Sequence, residues 1–302
     1  MTRPEVRPMP APARRASLRR LLSCIRIDEV CVLQGAPVIG ACFAMTDFRI
    51  PTLLTVAALV LGNLLLVAHV FVLNDWSGIQ GDLEDPTRAT GTYVAKGENS
   101  ARIGSLALVL LALSLLVFAL INRTSLVIAS IIAALSAVYS MRGIHGKGVP
   151  LLSSLLHLCG GALHFLLGYA ALSSISLHGA AIGCYFGLVF AAGHLTHETR
   201  DHDGDLRNGI RTNAVAFGRK RIFVTSLLLF SVAYILLTTL ALLGLAPRVL
   251  ALAIVPYAIH LHAAWRTLQD GLTYPNIRRL QTVYRNIHAV IGLVLLATVP
   301  PW

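Results

Sequence analysis

Long apolar runs separated by short polar connections dominate the chain. A bilayer hydrocarbon core of about 30 Å requires about 20 consecutive apolar residues per helix. Nine runs approach that length, at roughly 29–47, 52–73, 102–121, 124–141, 150–172, 176–196, 222–244, 249–265 and 285–301. The first has Asp28 and Glu29 at its mouth and Pro37 inside it; the eighth is short and contains His260 and His262. The pattern predicts an all-α polytopic membrane protein, with nine transmembrane helices around a central cavity.

Composition agrees: 56% of the 302 residues are hydrophobic, 13% are charged, and the mean hydropathy is +0.71. Such a chain is neither a soluble globular protein nor a disordered one. Charge then orients the spans, because short cytoplasmic loops collect Lys and Arg. With the amino terminus in the cytoplasm, 22 of the 25 Lys and Arg fall on that side, and only Arg49, Arg123 and Arg248 fall outside. The net charge of +11 follows from this bias and from a basic amino terminus, so nothing points to nucleic acid. Residues 1–24, rich in Pro, Ala and Arg, predict a basic disordered tail resting on anionic lipid, and residues 25–302 the membrane domain. Arg14-Arg15 and Arg19-Arg20 precede an apolar stretch as in an export signal, but Asp28 and Glu29 interrupt it too early for cleavage. Cys24, Cys31, Cys42, Cys159 and Cys184 form no C-x-x-C pair, and read as core packing.

Two acidic stretches end apolar runs: N-D-W-S-G-I-Q-G-D-L-E-D at 74–85 and H-E-T-R-D-H-D-G-D at 197–205. If helix continues through them, Asp75 and Asp82 share one face at i, i+7, and Glu198, Asp201 and Asp205 share another at i, i+3, i+7. Asp203 points away, as a solvated charge. The two stretches end even-numbered spans, suggesting a pseudo-repeat, and both lie on the cytoplasmic side. Loop 74–101, with Gly78, Gly81, Pro86, Gly91 and Gly97, predicts a flexible cap. Between the fourth and fifth spans, Tyr139 to Pro150 places Arg142, His145 and Lys147 beside a glycine-rich turn, which suits phosphate oxygens. His69 either lines the same cavity or bonds a neighbouring helix. His157 and His164 read as packed polar contacts, and the stripe Gly179, Gly183, Gly187, Ala191 predicts close helix packing.

Carboxylates held together at a membrane boundary call for a cation between them. Mg²⁺ prefers oxygen ligands and commonly bridges a few carboxylates to substrate phosphates. In a cavity walled by apolar helices, that chemistry suits an isoprenoid diphosphate, its leaving diphosphate neutralised by metal.

These features resemble the UbiA superfamily of intramembrane prenyltransferases, with nine transmembrane helices and two cytoplasmic Asp-rich motifs, N-D-x-x-D-x-x-x-D and D-x-x-D-x-x-x-D. Here the first reads Asn74-Asp75, Gly78, Asp82, and the second Glu198, Asp201, Asp205, followed by G-I-R-T at 209–212. The stretch from Tyr139 to Lys147 is similar to the family's Y-S segment after helix four. The resemblance implies that Asn74, Asp75, Asp82, Glu198, Asp201 and Asp205 bind Mg²⁺ and diphosphate, that Asp75, Asp82, Asp201 and Asp205 are catalytic, and that Tyr139, Arg88, Arg142, Lys147 and Arg211 contact the diphosphate. A small-molecule acceptor, aromatic in many members, would take the prenyl group. The chain departs from the pattern: Gly78 removes a carboxylate that Glu84 or Asp85 could replace, Glu198 replaces Asp, Gly143 stands where some members carry Lys, and Ala89 replaces the proline of an Arg-Pro pair. Three rivals stand beside this reading. One is a terpene cyclase of the same fold, which needs no acceptor. Another is a di-iron oxidase using His194, His197 and His202 with Glu198. The third is a cation transporter, disfavoured because both clusters lie at one face.

Overall fold

The computed structural model describes residues 25–84, 99–141 and 143–298, with the backbone alone over 80–84. Among these residues every regular element is helical, and nine helices are long and apolar enough to cross a membrane. The tail at 1–24 lies outside the described residues.

The first span is built from two pieces, α1 (Ile27–Val32) and α2 (Gly35–Ala44). The break leaves Pro37 in the first turn of α2, where a missing N–H costs no intrahelical bond. Gln34 secures the break: its Nε2 donates to Val30 O at 2.8 Å, and its Oε1 accepts from Asn63 Nδ2 at 2.9 Å. Asn63 Oδ1 lies 3.2 Å from His164 Nδ1. Polar groups of three spans thus satisfy one another where lipid offers no partner.

The second span, α3 (Ile50–Glu84), is 35 residues long. It is followed by α4 (Ser100–Ile121), α5 (Arg123–Ser140), α6 (Leu152–Leu172) and the 31-residue α7 (Leu177–Arg207). A short α8 (Asn213–Phe217) precedes α9 (Arg219–Leu242). A 3₁₀ segment (Arg248–Ala253) leads into α10 (Ile254–Gln269), and α11 (Tyr274–Thr298) ends the bundle. Asn99, Asn122 and Ser176 cap α4, α5 and α7, their side-chain oxygens accepting from the N–H of Ala101, Ser125 and Gly179.

Two boundaries differ from the sequence reading. Residues 74–84 do not belong to a loop: α3 passes through Gly78 and Gly81 without interruption. Tertiary packing overrides their low helix propensity. Trp76 seats against Gly104 of α4, where a Cβ would come within 2.9 Å of its indole nitrogen. The remainder of the expected cap, 85–98, lies outside the described residues. The ninth span also begins at Tyr274 rather than near 285, since its first turns carry Arg278, Arg279 and Gln281 on helix.

At 1.5 Å per residue, α3 and α7 are about 52 and 46 Å long, well beyond the ~30 Å hydrocarbon core. Successive spans alternate in direction, so the carboxyl ends of α3, α5, α7 and α10 and the start of α1 share one face. Helix pairs approach closely at glycines. A Cβ on Gly168 would stand 1.8 Å from Pro37 O, and one on Gly40 2.1 Å from Phe165 O, so α2 and α6 meet backbone to backbone. The α7 stripe behaves as expected: a Cβ on Gly187 would lie 2.6 Å from Leu158 O of α6. Leu108, Leu116, Leu120, Leu228, Ile235 and Leu242 are exposed, forming the apolar exterior that lipid covers. Cys31 and Cys184 are exposed on that exterior as well, correcting their reading as core residues. His69 is buried and its Nδ1 meets Ala107 O of α4 at 2.8 Å, so it is a contact between neighbouring helices.

Candidate active site

Because α3 stays helical to Glu84 and α7 to Arg207, Asp75 and Asp82 keep their i, i+7 register and Glu198, Asp201 and Asp205 their i, i+3, i+7 register. Their environments nevertheless diverge. Asp75 is met by Arg26, which sits in left-handed conformation (φ 52°) just before α1. Arg26 Nε donates to Asp75 Oδ2 at 3.2 Å and Nη2 donates to Oδ1, while its guanidinium lies 5.7 Å from the Phe71 ring centroid. The Asp82 backbone is on α3, but its side chain, like Arg88 and Arg142, lies outside the described residues.

On α7, Glu198 is buried. Its Oε1 accepts from Ser153 Oγ and Asn213 Nδ2, both at 3.1 Å, and stands 2.9 Å from His194 Nε2. Its Oε2 is buried, with no hydrogen-bond partner among the described residues. Asp201 turns to its neighbour Arg200, accepting from Nε at 2.8 Å and Nη2 at 2.7 Å. Arg200 Nη1 reaches Gln281 Oε1 of α11 at 2.9 Å. Asp205 is buried. Asp203 is exposed as anticipated, and pairs with Arg219 and His202. Gly209 (φ 66°) ends the helix: Ile210 N–H donates to Asp205 O at 2.9 Å and Gly209 N–H to Leu206 O at 3.2 Å. That Schellman pattern fixes the last turn of the motif.

Tyr139, at the end of α5, meets His157 of α6 edge-on at 5.1 Å and His194 at 6.2 Å. The two imidazoles stack at 3.7 Å, 9° from parallel. Lys147 rides on a 3₁₀ turn (Gly146–Gly148) between two positive-φ residues, the left-handed His145 (φ 50°) and Leu151 (φ 67°). Gly146 is required there, since a Cβ would come within 2.5 Å of Val138 O. The turn rests beside the link that carries Arg211: a Cβ on Gly148 would be 3.9 Å from Arg211 N. Arg211 itself is exposed and Asn74 is half-buried.

Of the residues expected at the site, Tyr139 and Glu198 meet through His194, Glu198 is joined through Asn213 to Leu151 just past the Lys147 turn, that turn lies beside the backbone of Arg211, and Asp201 and Asp205 follow Glu198 on α7. Sequence reasoning missed Arg26, Ser153 and Asn213, and assigned His157 and His194 no place in this reading. His194 precedes Glu198 by one helical turn, and Asn213 directly follows G-I-R-T; those were the available signals. Among the described residues no three His, Cys, Asp or Glu side chains converge as a metal-ligating group. The donor chemistry still fits Mg²⁺: carboxylate oxygens are hard ligands, and Glu198 Oε2 is a buried acceptor with no donor among the described residues.

Residues 35–275 match the sequence profile of the UbiA prenyltransferase family. The chain belongs to this family. No curated protein sequence matches it significantly. Solved structures of UbiA homologues share its fold. One from Archaeoglobus fulgidus, bound to GPP and Mg²⁺, superposes with a TM-score of 0.72 at 17% identity, covering 92% of this chain and 100% of that one. An apo homologue from Aeropyrum pernix K1 gives a TM-score of 0.71 at 17% identity, covering 89% and 98%. A digeranylgeranylglyceryl phosphate synthase gives 0.69 at 17%, covering 93% and 98%. As a multi-pass UbiA-family protein, the chain keeps both motif helices, with Glu198 as its marked departure from the second motif.

Proposed function

We propose that this UbiA-family protein transfers a prenyl group from an isoprenoid diphosphate to a small-molecule acceptor, aromatic in class, at the cytoplasmic face of a membrane. The observation that carries this reading is the linkage of buried Glu198 on α7 through Asn213 to Leu151, just past the Lys147 turn, a turn that itself lies beside the backbone of Arg211. Homologues of the same fold hold GPP or DMAPP with Mg²⁺, which supports the substrate class. The 22 to 3 division of Lys and Arg supports a cytoplasmic amino terminus and cytoplasmic motifs.

Asn74, Asp75, Asp82, Asp201, Asp205 and Oε2 of Glu198 would hold Mg²⁺, which would supply positive charge to offset that of a departing diphosphate. Lys147, Arg211, Arg88 and Arg142 clamp the phosphate oxygens, and Tyr139 orients beside them. The allylic C–O bond breaks with its electron pair leaving on the diphosphate. The acceptor's electrons then form the new bond to the allylic carbon, and the acceptor releases a proton. The stacked His157 and His194 with Tyr139 wall this site with rings, keeping water from the cation.

The test is mass spectrometry of products from purified protein given Mg²⁺ and geranyl, farnesyl or geranylgeranyl diphosphate, with and without aromatic acceptors. Acceptor-dependent adducts are expected. Hydrocarbon or alcohol from diphosphate alone would transfer the assignment to a terpene cyclase, and no consumption of any diphosphate would overturn the reading.

A further inference from the structure

The Asn213 side chain, buried at 1% exposure, touches three parts of the site at once. Its Oδ1 accepts from Leu151 N–H at 2.7 Å. Its Nδ2 lies within 3.0 to 3.1 Å of Ser153 Oγ, Ser154 Oγ and Glu198 Oε1. His145 is left-handed and Leu151 also has positive φ (67°, with ψ −42°), so the segment bearing Lys147 is entered and left through conformations that L residues adopt at a cost. Such a turn holds its shape only where its surroundings impose it. Asn213 supplies one such restraint, fixing the exit of the turn to the carboxylate of the second acidic motif.

We infer that Asn213 is a positioning residue that sets the Lys147 turn in register with Glu198, so that cation and carboxylates close on one diphosphate together. The inference rests on the proposed diphosphate chemistry, through Lys147. Asn213 does not itself meet the substrate; it acts through the turn on one side and through Glu198 on the other, as outer groups do around ligating carboxylates. An amide is suited to this task because it offers an acceptor to a backbone N–H and donors to a carboxylate at the same time.

The experiment compares wild type, Asn213→Ala, Lys147→Ala and the double variant in detergent, reading KM for geranyl diphosphate, kcat, melting temperature and amide hydrogen exchange over 145–151. Lys147→Ala should raise KM about tenfold, the size of a lost charge-assisted hydrogen bond. Asn213→Ala should raise KM comparably and speed exchange in the turn. The double variant should be no worse than Lys147→Ala alone, since coupled residues are not additive. Multiplying KM effects would overturn the inference, as would a lowered melting temperature with unchanged KM, or unchanged exchange over 145–151. Should Asn213→Ala fail to fold, Asn213→Ser carries the same comparison. A wild-type protein that consumes no diphosphate would sink the proposed chemistry instead, while the exchange measurement would still report whether Asn213 anchors the turn.

Discussion

Arg26 and Asp75, 49 residues apart, form a two-pronged ion pair that joins the start of the first span to the first acidic motif. The guanidinium bonds both oxygens of a carboxylate proposed to hold metal. Their side chains are 41% and 16% exposed, and partly exposed pairs contribute little, about 0.2–1 kcal/mol. Arg26 is thus a weak competitor for Asp75. Arg26→Gln is expected to lower the Mg²⁺ concentration for half-maximal turnover by about two- to fivefold, in line with that pair energy. A magnesium titration of both proteins checks this, and an unchanged or higher requirement counts against competition.

The carboxylates themselves should be far less replaceable. Asp75→Ala combined with Asp201→Ala, or removal of divalent metal with EDTA, is expected to reduce turnover by on the order of a thousandfold, the scale of losing charge stabilisation at a reacting centre. Steady-state rates with geranyl diphosphate decide it; undiminished Mg²⁺-dependent turnover in the double variant would remove both residues from the site.

Glu198 invites a counterintuitive substitution. Glu198→Asp restores the family's usual letter, but the shorter side chain withdraws the oxygen that accepts from Ser153 Oγ and Asn213 Nδ2, so the buried carboxylate loses two donors. The variant is expected to lose about tenfold in kcat/KM, the worth of one or two hydrogen bonds to a charged group. Equal or improved kcat/KM would show that those bonds do not orient the carboxylate.

The approach of α2 to α6 is a packing prediction independent of chemistry. Gly168→Ala forces a methyl against Pro37 O, and Gly40→Ala does the same at Phe165 O. With backbone rather than flexible side chain in the way, each should cost at least the 1–3 kcal/mol typical of overpacking, read as a fall in melting temperature and in monodisperse yield. Gly143→Ala, with nothing within 4 Å of its added Cβ, is the control and should leave both unchanged.

The spans were legible because bilayer thickness writes itself into apolar run length, and the motif registers because helical spacing is fixed. Boundaries were less legible where polar residues sit on helix outside the hydrocarbon: Arg278, Arg279 and Gln281 hid the first turns of α11, and Gly78 and Gly81 hid the last turns of α3. The residues around Glu198 were hidden for another reason. Asn213 and Ser153 lie 60 positions apart, and only the folded packing of α6, α7 and α8 brings them to Glu198. Arg26 looked like one more cytoplasmic cation, and its partner could be named only from the fold.

The excess length of α3 and α7 has a bearing on where the two products go. Helices of this length lift the acidic turns above the hydrocarbon while their lower turns remain in it. On the proposed reaction, a diphosphate released at that height would enter water directly, while the prenylated product, anchored by its chain, would stay on the oily side. Hydrophilic and lipophilic products would then part by altitude along two helices.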